Sequence, residues 1–312
     1  MASSGNLIVI VGSLKDDHVR AVQSGIQAIG HDPVIFDAMK FPEELPISIS
    51  QKSDSISIDG KEMGRPSAVY VRSLYQDPSG YGVDVEEEMK ENWRRTMMAF
   101  RESSTLLSSI LLRWDQLGVP MFNPPKAQMN ITKPYQIALL QEAGLPVPET
   151  LWSNDPVAVK AFCKDQERIY KPVSGGAATQ IVSPEDLTDE RLESLAGAPV
   201  TFQEILPGDD VRVFIIEGDI TCSLRIESDE IDFRQNEKKI EPIDLPDKVK
   251  EQCIKAMSVV GLRFTGMDIK ADRHGEYKIL ELNPSAMFLG FEKLGGVEIC
   301  RPFCEAIARH AS

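Results

Sequence analysis

Short apolar runs alternate with an amphipathic stretch in the first part of the chain. Residues 7–11 are an apolar run closed by a glycine, and residues 16–29 have helical spacing and end at a second glycine. Residues 33–36 and 68–71 are two further apolar runs. Strand, helix and strand at this spacing predict a small α/β layer with a parallel sheet.

A long helical pattern follows from about residue 85 to residue 117. Large apolar side chains recur on or near one side of this helix: Trp93, Met97, Leu107, Leu111 and Trp114. Such a stripe is more often part of a core than of a cofactor site, so we expect it to be buried.

The rest of the chain mixes strands and helices. Asn123-Pro124-Pro125 interrupts the pattern, because prolines stop helices and stiffen a crossing chain. Predicted helices cover 131–143, 189–195, 247–260 and a closing segment from about 297. One predicted strand ends at residues 169–171. Further predicted strands cover 179–182, 200–206, 212–216 and 220–226, and a predicted hairpin covers 264–283. This mixture predicts an α+β catalytic body.

Composition and charge limit the class of protein and its partners. With 312 residues, 42% hydrophobic and 26% charged, the chain fits a globular protein of two or three packed units. The net charge of -14 argues against nucleic acid as a partner. No apolar run approaches the roughly 20 residues of a membrane span, and no secretory signal is recognised at the start. The five cysteines form no CxxC pair, so we expect reduced thiols in a cytoplasmic protein.

Acidic and amide side chains near the C-terminus give the sharpest chemical signal. Glu281 and Asn283 are two residues apart on a predicted strand, so both side chains leave the same face. A tight hairpin turn would place Asp268 opposite Ile279 and Gly266 opposite Glu281, with a short diagonal from Asp268 to Glu281. Hard oxygen ligands without histidine or thiolate fit magnesium that bridges phosphates. The alternative is a solvated strand end that carries only surface charges.

Two lysines are candidates for phosphate contacts. Lys171 ends an apolar strand and precedes Ser174, Gly175 and Gly176, where small residues let backbone N–H groups approach an anion. Lys133 stands at the head of the helix after the proline pair. The alternatives are an ordinary hairpin turn and a surface lysine.

A third group of candidates surrounds a strand, a break and a strand. Gln203, Glu204 and Ile205 end one strand, where backbone N–H and C=O groups could meet an adenine edge. Asp209 and Asp210 are both candidates for the ribose hydroxyls. Arg212 could reach a phosphate, and Arg225 and Arg234 are further basic candidates; surface salt bridges are the alternative for these arginines.

The order of these pieces resembles the ATP-grasp superfamily from Asn123 to the end of the chain. The matching stretches are Asn123-Pro124-Pro125 with Lys133; residues 143–150; Tyr170-Lys171-Pro172 with its glycine loop; Gln203-Glu204 with Asp210-Val211-Arg212; Gly266-Met267-Asp268; and Glu281-Leu282-Asn283-Pro284. The resemblance implies a Rossmann-like domain over 1–122, a central subdomain over 123–199 and a catalytic subdomain over 200–312.

The resemblance also implies roles for the candidate residues. ATP would be bound by Lys133, Lys171, Ser174, Gly175, Gly176, Gln203, Glu204, Ile205 and Asp210. Asp268, Glu281 and Asn283 would hold two Mg²⁺ ions, with Mn²⁺ as an alternative metal. Arg212 and Arg225 would lie near the transferred phosphoryl group, and Arg72, Arg225 and Arg234 would bind an anionic substrate. A homodimer or higher homo-oligomer is expected.

Within the superfamily, the chain looks closest to the branch of ribosomal-protein glutamate ligases, glutathione synthetases and microviridin-type peptide ligases. The implied reaction activates a carboxylate as an acyl phosphate and couples it to an amine of an amino acid, peptide or protein tail. A macrocyclase that forms side-chain lactam or lactone links is one alternative. A non-catalytic ATP-binding scaffold and a kinase with a stable acceptor are the others.

Overall fold

The computed structural model describes residues 6–37, 40–51, 55–73, 85–129, 132–174, 178–228 and 237–311. In its N-terminal part the strands are β1 (Ile8–Val11), β2 (Val34–Phe36), β3 (Ile47–Ser50), β4 (Ser55–Ile58), β5 (Lys61–Met63), β6 (Ala68–Val71) and β7 (Met121–Phe122). The helices there are α1 (Asp17–Ala28), α2 (Val85–Gln116) and α3 (Pro125–Met129).

The predicted parallel sheet is present, with strand order β2-β1-β6-β7. Alternation along β1 separates two cores: Ile8 and Ile10 pack towards α1, while Val9 and Val11 pack towards α2. Strands β3, β4 and β5 form a small antiparallel sheet that the sequence pattern did not predict.

Helix α2 confirms the long predicted helix, but its apolar stripe is buried over only part of its length. Leu107, Leu111 and Trp114 are buried, whereas Trp93 and Met97 are 52% and 49% exposed. The backbone angles at Asn92 are not helical, so α2 is kinked there. Residues 93–116 alone span about 36 Å, while strands of four residues span only about 13 Å. The parallel sheet therefore covers only the second half of α2, and the expectation of a fully buried stripe was wrong.

The central part is built on a second sheet. Its elements are α4 (Lys133–Glu142), β8 (Thr150–Ser153), α5 (Pro156–Phe162), β9 (Arg168–Pro172), β10 (Gln180–Ile181), α6 (Asp189–Leu192) and β11 (Val200–Glu204). The strand order is β10-β9-β11-β8, and every pairing is antiparallel. Strand β11, which begins at the predicted subdomain boundary, pairs with both β8 and β9.

The C-terminal part contains a five-stranded antiparallel sheet of order β14-β13-β12-β15-β16. Its elements are β12 (Asp210–Ile216), β13 (Asp219–Ser228), β14 (Glu237–Pro242), α7 (Asp247–Val260), β15 (Phe264–Ala271), β16 (Tyr277–Asn283), α8 (Leu289–Gly295) and α9 (Cys300–Arg309). One face packs on α7 and α4, and part of the other packs on α8, α9 and the N-terminal sheet. No helix in the described part of the chain is long and apolar enough to cross a membrane.

The hairpin of β15 and β16 corrects the predicted register. Asp268 lies opposite Glu281, not opposite Ile279, and Gly266 lies opposite Asn283. The turn is one residue longer than predicted, because the Asp272 carboxylate accepts N–H groups inside it. A β-bulge next to Asp268 adds a second residue to the offset. The two carboxylates therefore face each other directly rather than along a diagonal.

Candidate active site

A cleft of about 550 Å³ lies between the central and C-terminal sheets, which is a typical size for a bound small molecule. The structure brings most of the residues predicted from sequence into its walls: Lys133, Lys171, Gln203, Glu204, Ile205, Asp210, Arg212, Asp268, Glu281 and Asn283. They come from α4, β9, β11, β12, β15, β16 and the segment after β11.

The acidic cluster forms where the end of β16 pairs with the middle of β15. The Asn283 amide nitrogen lies 3.2 Å from Glu281 Oε1 and 3.4 Å from Asp268 Oδ2. The side chains of Asp268 and Glu281 leave the same face because the two residues are cross-strand partners. Three oxygen-bearing side chains thus converge on one point of the cleft.

Cations surround this cluster. Lys133 Nζ lies 2.7 Å from Glu281 Oε2, and Arg212 Nε lies 2.8 Å from Asp268 Oδ1. Lys171 Nζ donates to Gln203 Oε1 at 3.0 Å, so its ammonium is held on the side of the central sheet that lines the cleft. The cleft therefore combines convergent carboxylates with positive charges from three separate elements.

The two carboxylates differ in their affinity for protons. Burial raises the pKa of Asp268 to about 7; Arg212 opposes this shift, while the neighbouring Glu281 adds to it. Burial also acts to raise the pKa of Glu281, but the charge and hydrogen bond of Lys133 outweigh it and hold that pKa low. Asp268 therefore has the higher and Glu281 the lower pKa of this coupled pair.

The cluster fits a hard divalent cation only together with a ligand that supplies more oxygens. Among the described residues no group of three or more His, Cys, Asp and Glu side chains could hold a metal alone. Here two carboxylates and one amide oxygen are present, and Mg²⁺ typically takes one or two carboxylates plus phosphate oxygens. Arg212 Nε is buried and is engaged by Asp268 Oδ1 at 2.8 Å, so the ion pair fixes the guanidinium beside the cluster. At Gly266 a Cβ would approach Arg212 Nη1 to 3.0 Å, so the absence of a side chain leaves room there.

The opposite end of the cleft contains two ion pairs that the sequence reasoning missed. Lys278 Nζ lies 2.5 Å from Glu204 Oε1, and Lys270 Nζ lies 2.7 Å from Asp210 Oδ2. A signal for Lys270 was present in the sequence, since it is two residues from Asp268 and therefore shares its face. The position of Lys278 could be predicted only once the strand register was known, because Lys278 is the cross-strand partner of Lys270.

Several predicted residues are not brought into the cleft. Arg225 pairs with Val211 across the sheet, so it leaves the face opposite to Arg212 and instead contacts Glu241 and Asp209. Ser174 is exposed and does not line the cleft. Gly175, Gly176 and Arg234 lie outside the described residues.

Arg72 also differs from the sequence expectation. Its Nε donates to Asp16 Oδ2 at 2.7 Å, and its Nη1 donates to the carbonyl oxygen of Ser285 at 2.5 Å. The side chain is only 11% exposed. The guanidinium expected to bind substrate is therefore committed to contacts within the protein.

The fold and the site together define an ATP-dependent ligase of the ATP-grasp class, in which a nucleotide-sized cleft lies between two antiparallel sheets behind a parallel α/β sheet. The RimK-like ATP-grasp domain matches residues 132–307, and the chain belongs to this family. The predicted superfamily, fold class and class of enzyme are thereby confirmed.

Solved structures resemble the chain over nearly its whole length. The ATP-grasp ligase PsnB, complexed with a phosphomimetic variant of minimal precursor, Mg and ADP, is 54% identical, with a TM-score of 0.92 and 98% of both chains covered. The macrocyclase MdnC, bound with precursor peptide MdnA from Microcystis aeruginosa MRC, is 23% identical, with a TM-score of 0.81 and coverage of 97% of this chain and 99% of that one. This second similarity supports the fold alone.

Curated relatives are more distant. A probable alpha-L-glutamate ligase of Haemophilus influenzae is 23% identical over 258 residues, which cover 76% of this chain and 85% of the relative. A protein of the same description from Thioalkalivibrio sulfidiphilus is 24% identical over 220 residues, which cover 65% and 72%.

Proposed function

We propose that this protein binds ATP with Mg²⁺ in the cleft and activates a side-chain carboxylate of a precursor peptide as an acyl phosphate. An amine or hydroxyl of the peptide then displaces phosphate and closes an amide or ester bond. The observation that carries the proposal is the convergence of Asp268, Glu281 and Asn283, which face Lys133, Lys171 and Arg212 in one cleft.

The side chains supply charge and position rather than proton transfer. Lys133 and Lys171 would attract the phosphates of ATP, and Arg212 would meet the phosphoryl group as it passes to the carboxylate. Arg212 is oriented by Asp268 and by the ring of Phe291, whose centroid lies 5.2 Å from the guanidinium carbon. Asp268, Glu281 and Asn283 would hold two Mg²⁺ ions, which would neutralise charge on the phosphate oxygens.

A peptide substrate is favoured over a free amino acid by the degree of similarity. PsnB has been solved in complex with precursor peptide PsnA2 and AMPPNP, and that structure is 48% identical and covers 100% of this chain. The alpha-L-glutamate ligases are about half as similar. The function proposed here therefore follows the peptide-modifying relatives.

The experiment combines purified protein, Mg²⁺-ATP and acidic precursor peptides that contain Ser, Thr or Lys acceptors. We expect ADP formation that depends on the peptide, and a product lighter by one water for each bond. A heavy-oxygen label in the peptide carboxylate should appear in the released phosphate, since the acyl phosphate transfers that oxygen. A stable phosphorylated product without loss of water would instead identify a kinase.

We also propose that the protein is a homodimer that associates through the uncovered half of α2. Trp93, Met97 and Met98 are each about half exposed on that part of the helix. A second copy of the same helix is the occupant that suits this patch, since an isologous interface buries both copies at once. Light scattering of wild type and of Met97→Glu tests it: a monomeric wild type, or a variant that stays dimeric, would contradict the proposal.

A further inference from the structure

The loop between β16 and α8 is held from outside by the N-terminal domain. This loop, residues 284–288, begins directly after Asn283 and supplies Ser285, Ala286 and Met287 to the cleft wall. Arg72 Nη1 donates to the Ser285 carbonyl at 2.5 Å, and Ser285 Oγ donates back to the Arg72 carbonyl at 2.7 Å. A reciprocal pair of bonds thus fixes the start of the loop to the end of β6.

The end of the same loop is fixed by a histidine. His18 Nε2 accepts the backbone N–H of Phe288 at 3.0 Å and that of Leu289 at 3.4 Å. Helix α8 begins at Leu289 and has no capping side chain of its own, so His18 satisfies N–H groups that a helix start leaves open. The His18 ring also packs edge-on against Phe288, with 4.8 Å between ring centroids.

Asp16 joins the two anchors. One oxygen accepts from Arg72 Nε at 2.7 Å, and the other lies 3.2 Å from His18 Nδ1. Since Nε2 of His18 accepts backbone N–H groups, the ring proton belongs on Nδ1, and Nδ1–H donates a hydrogen bond to Asp16 Oδ1. The side chains of His18 and Arg72 are only 12% and 11% exposed. Asp16, whose side chain is 31% exposed, therefore joins His18 and Arg72 in one partly buried network.

We propose that this network positions the reacting end of the cleft and that it works only while His18 is neutral. Ala286 is the loop residue next to the phosphoryl site, since it lies beside Gly266, as Arg212 does. A Cβ added at Gly266 would be 2.8 Å from Ala286 Cβ and 3.0 Å from Arg212 Nη1. A shift of the loop would therefore change the packing around Gly266. The three residues are positioning residues, and their effect on turnover rests on the proposed function.

Protonation of His18 would break the hydrogen bonds that its Nε2 accepts from the start of α8. A charged imidazole carries N–H on both nitrogens, so Nε2 would face two backbone N–H groups without an acceptor. Burial and the charge of Arg72 lower the pKa of His18 below its ordinary value, while Asp16 and Glu292 act in the opposite direction. We therefore expect the loop to be anchored at neutral pH and released as the pH falls below that lowered pKa.

The first experiment measures amide hydrogen exchange at Phe288 and Leu289 in the full chain, without substrate. His18→Gln keeps an acceptor near the Nε2 position without titrating, whereas His18→Ala removes it; His274→Gln, in the exposed hairpin turn, is the matched control. We expect exchange to rise about five- to tenfold in His18→Ala, to stay near wild type in the two Gln variants, and to rise in wild type alone upon acidification. Unchanged exchange in folded His18→Ala would overturn the proposal, whatever the outcome for ligase activity.

The second experiment measures ADP formation with Mg²⁺-ATP and a peptide that the wild type accepts. The ratio of His18→Gln to wild-type turnover should increase as the pH falls, and a flat ratio would contradict the requirement for neutral His18. Arg72→Lys should lower kcat about tenfold and leave the KM for the peptide unchanged, since one ammonium cannot bond Asp16 and Ser285 together. A raised KM with unchanged kcat would return Arg72 to the substrate site predicted from sequence.

Discussion

The two faces of the C-terminal sheet use the same strands for opposite purposes. One face carries Val211, Val213, Met267 and Ile279, which are buried against α7 and α4. The other face carries charged side chains, such as Arg212, at the end that borders the cleft. Because side chains alternate along a strand, one face of the sheet can be packed in the core while the other carries charges. Burial of the packed face stabilises the strands and offsets the free-energy cost of partly burying those charges.

The charged face gives the largest expected effect. Asp268→Asn should lower ADP formation by about 10²–10³-fold or more, because it removes a charge that the phosphoryl site uses. The fold should persist, since Asn has nearly the same size as Asp and keeps a side-chain oxygen that can accept from Arg212 Nε. The control is Glu276→Gln in the exposed hairpin turn. Turnover of Asp268→Asn within about tenfold of wild type would remove Asp268 from the site.

The packed face should show the reverse behaviour. Ile279→Ala is expected to lower the free energy of unfolding by about 2–5 kcal/mol, because it leaves a cavity where a side chain only 2% exposed was packed. Urea unfolding measures this loss. ADP formation per folded molecule should change by less than about threefold. A large loss of activity with normal stability would show that the two faces are not independent.

Two arginines on neighbouring strands sharpen the comparison. Arg212→Ala should lower ADP formation by about 10²-fold, since Arg212 lines the cleft beside Asp268. Arg225→Ala should change it by less than about threefold, because Arg225 leaves the opposite face. Steady-state assays of both variants decide the point. Equal losses would restore the role that the sequence predicted for Arg225.

The pH dependence of stability should give the smallest effect. The pKa of Asp268 is raised to about 7, so the folded state holds a proton that the unfolded state releases. The free energy of unfolding should therefore fall as the pH rises from about 4 to 7. The lowered pKa of Glu281 acts below this window, where stability is lost as the pH falls. Urea unfolding of Asp268→Asn should lack the decline between pH 4 and 7; the same slope as wild type would assign it to another group.

Much of the fold was predictable because local patterns specified it. The parallel sheet, helix α7 and the hairpin of β15 and β16 follow from apolar runs, helical spacing and turn residues. The antiparallel sheet of β3, β4 and β5 was missed although β3 and β4 alternate apolar and polar residues, a pattern typical of half-buried strands. The exposure of Trp93 and Met97 depended on the reach of a sheet formed elsewhere in the chain.

The sequence alone determined which chemical groups are present and which share a strand face. Asp268 and Lys270, or Glu281 and Asn283, are two residues apart, and backbone geometry then leaves little choice. Only the tertiary structure decided the offset of the hairpin, the face of Arg225 and the contacts of Arg72. Those features depend on bulges and on contacts between residues far apart in the chain, which no local periodicity encodes.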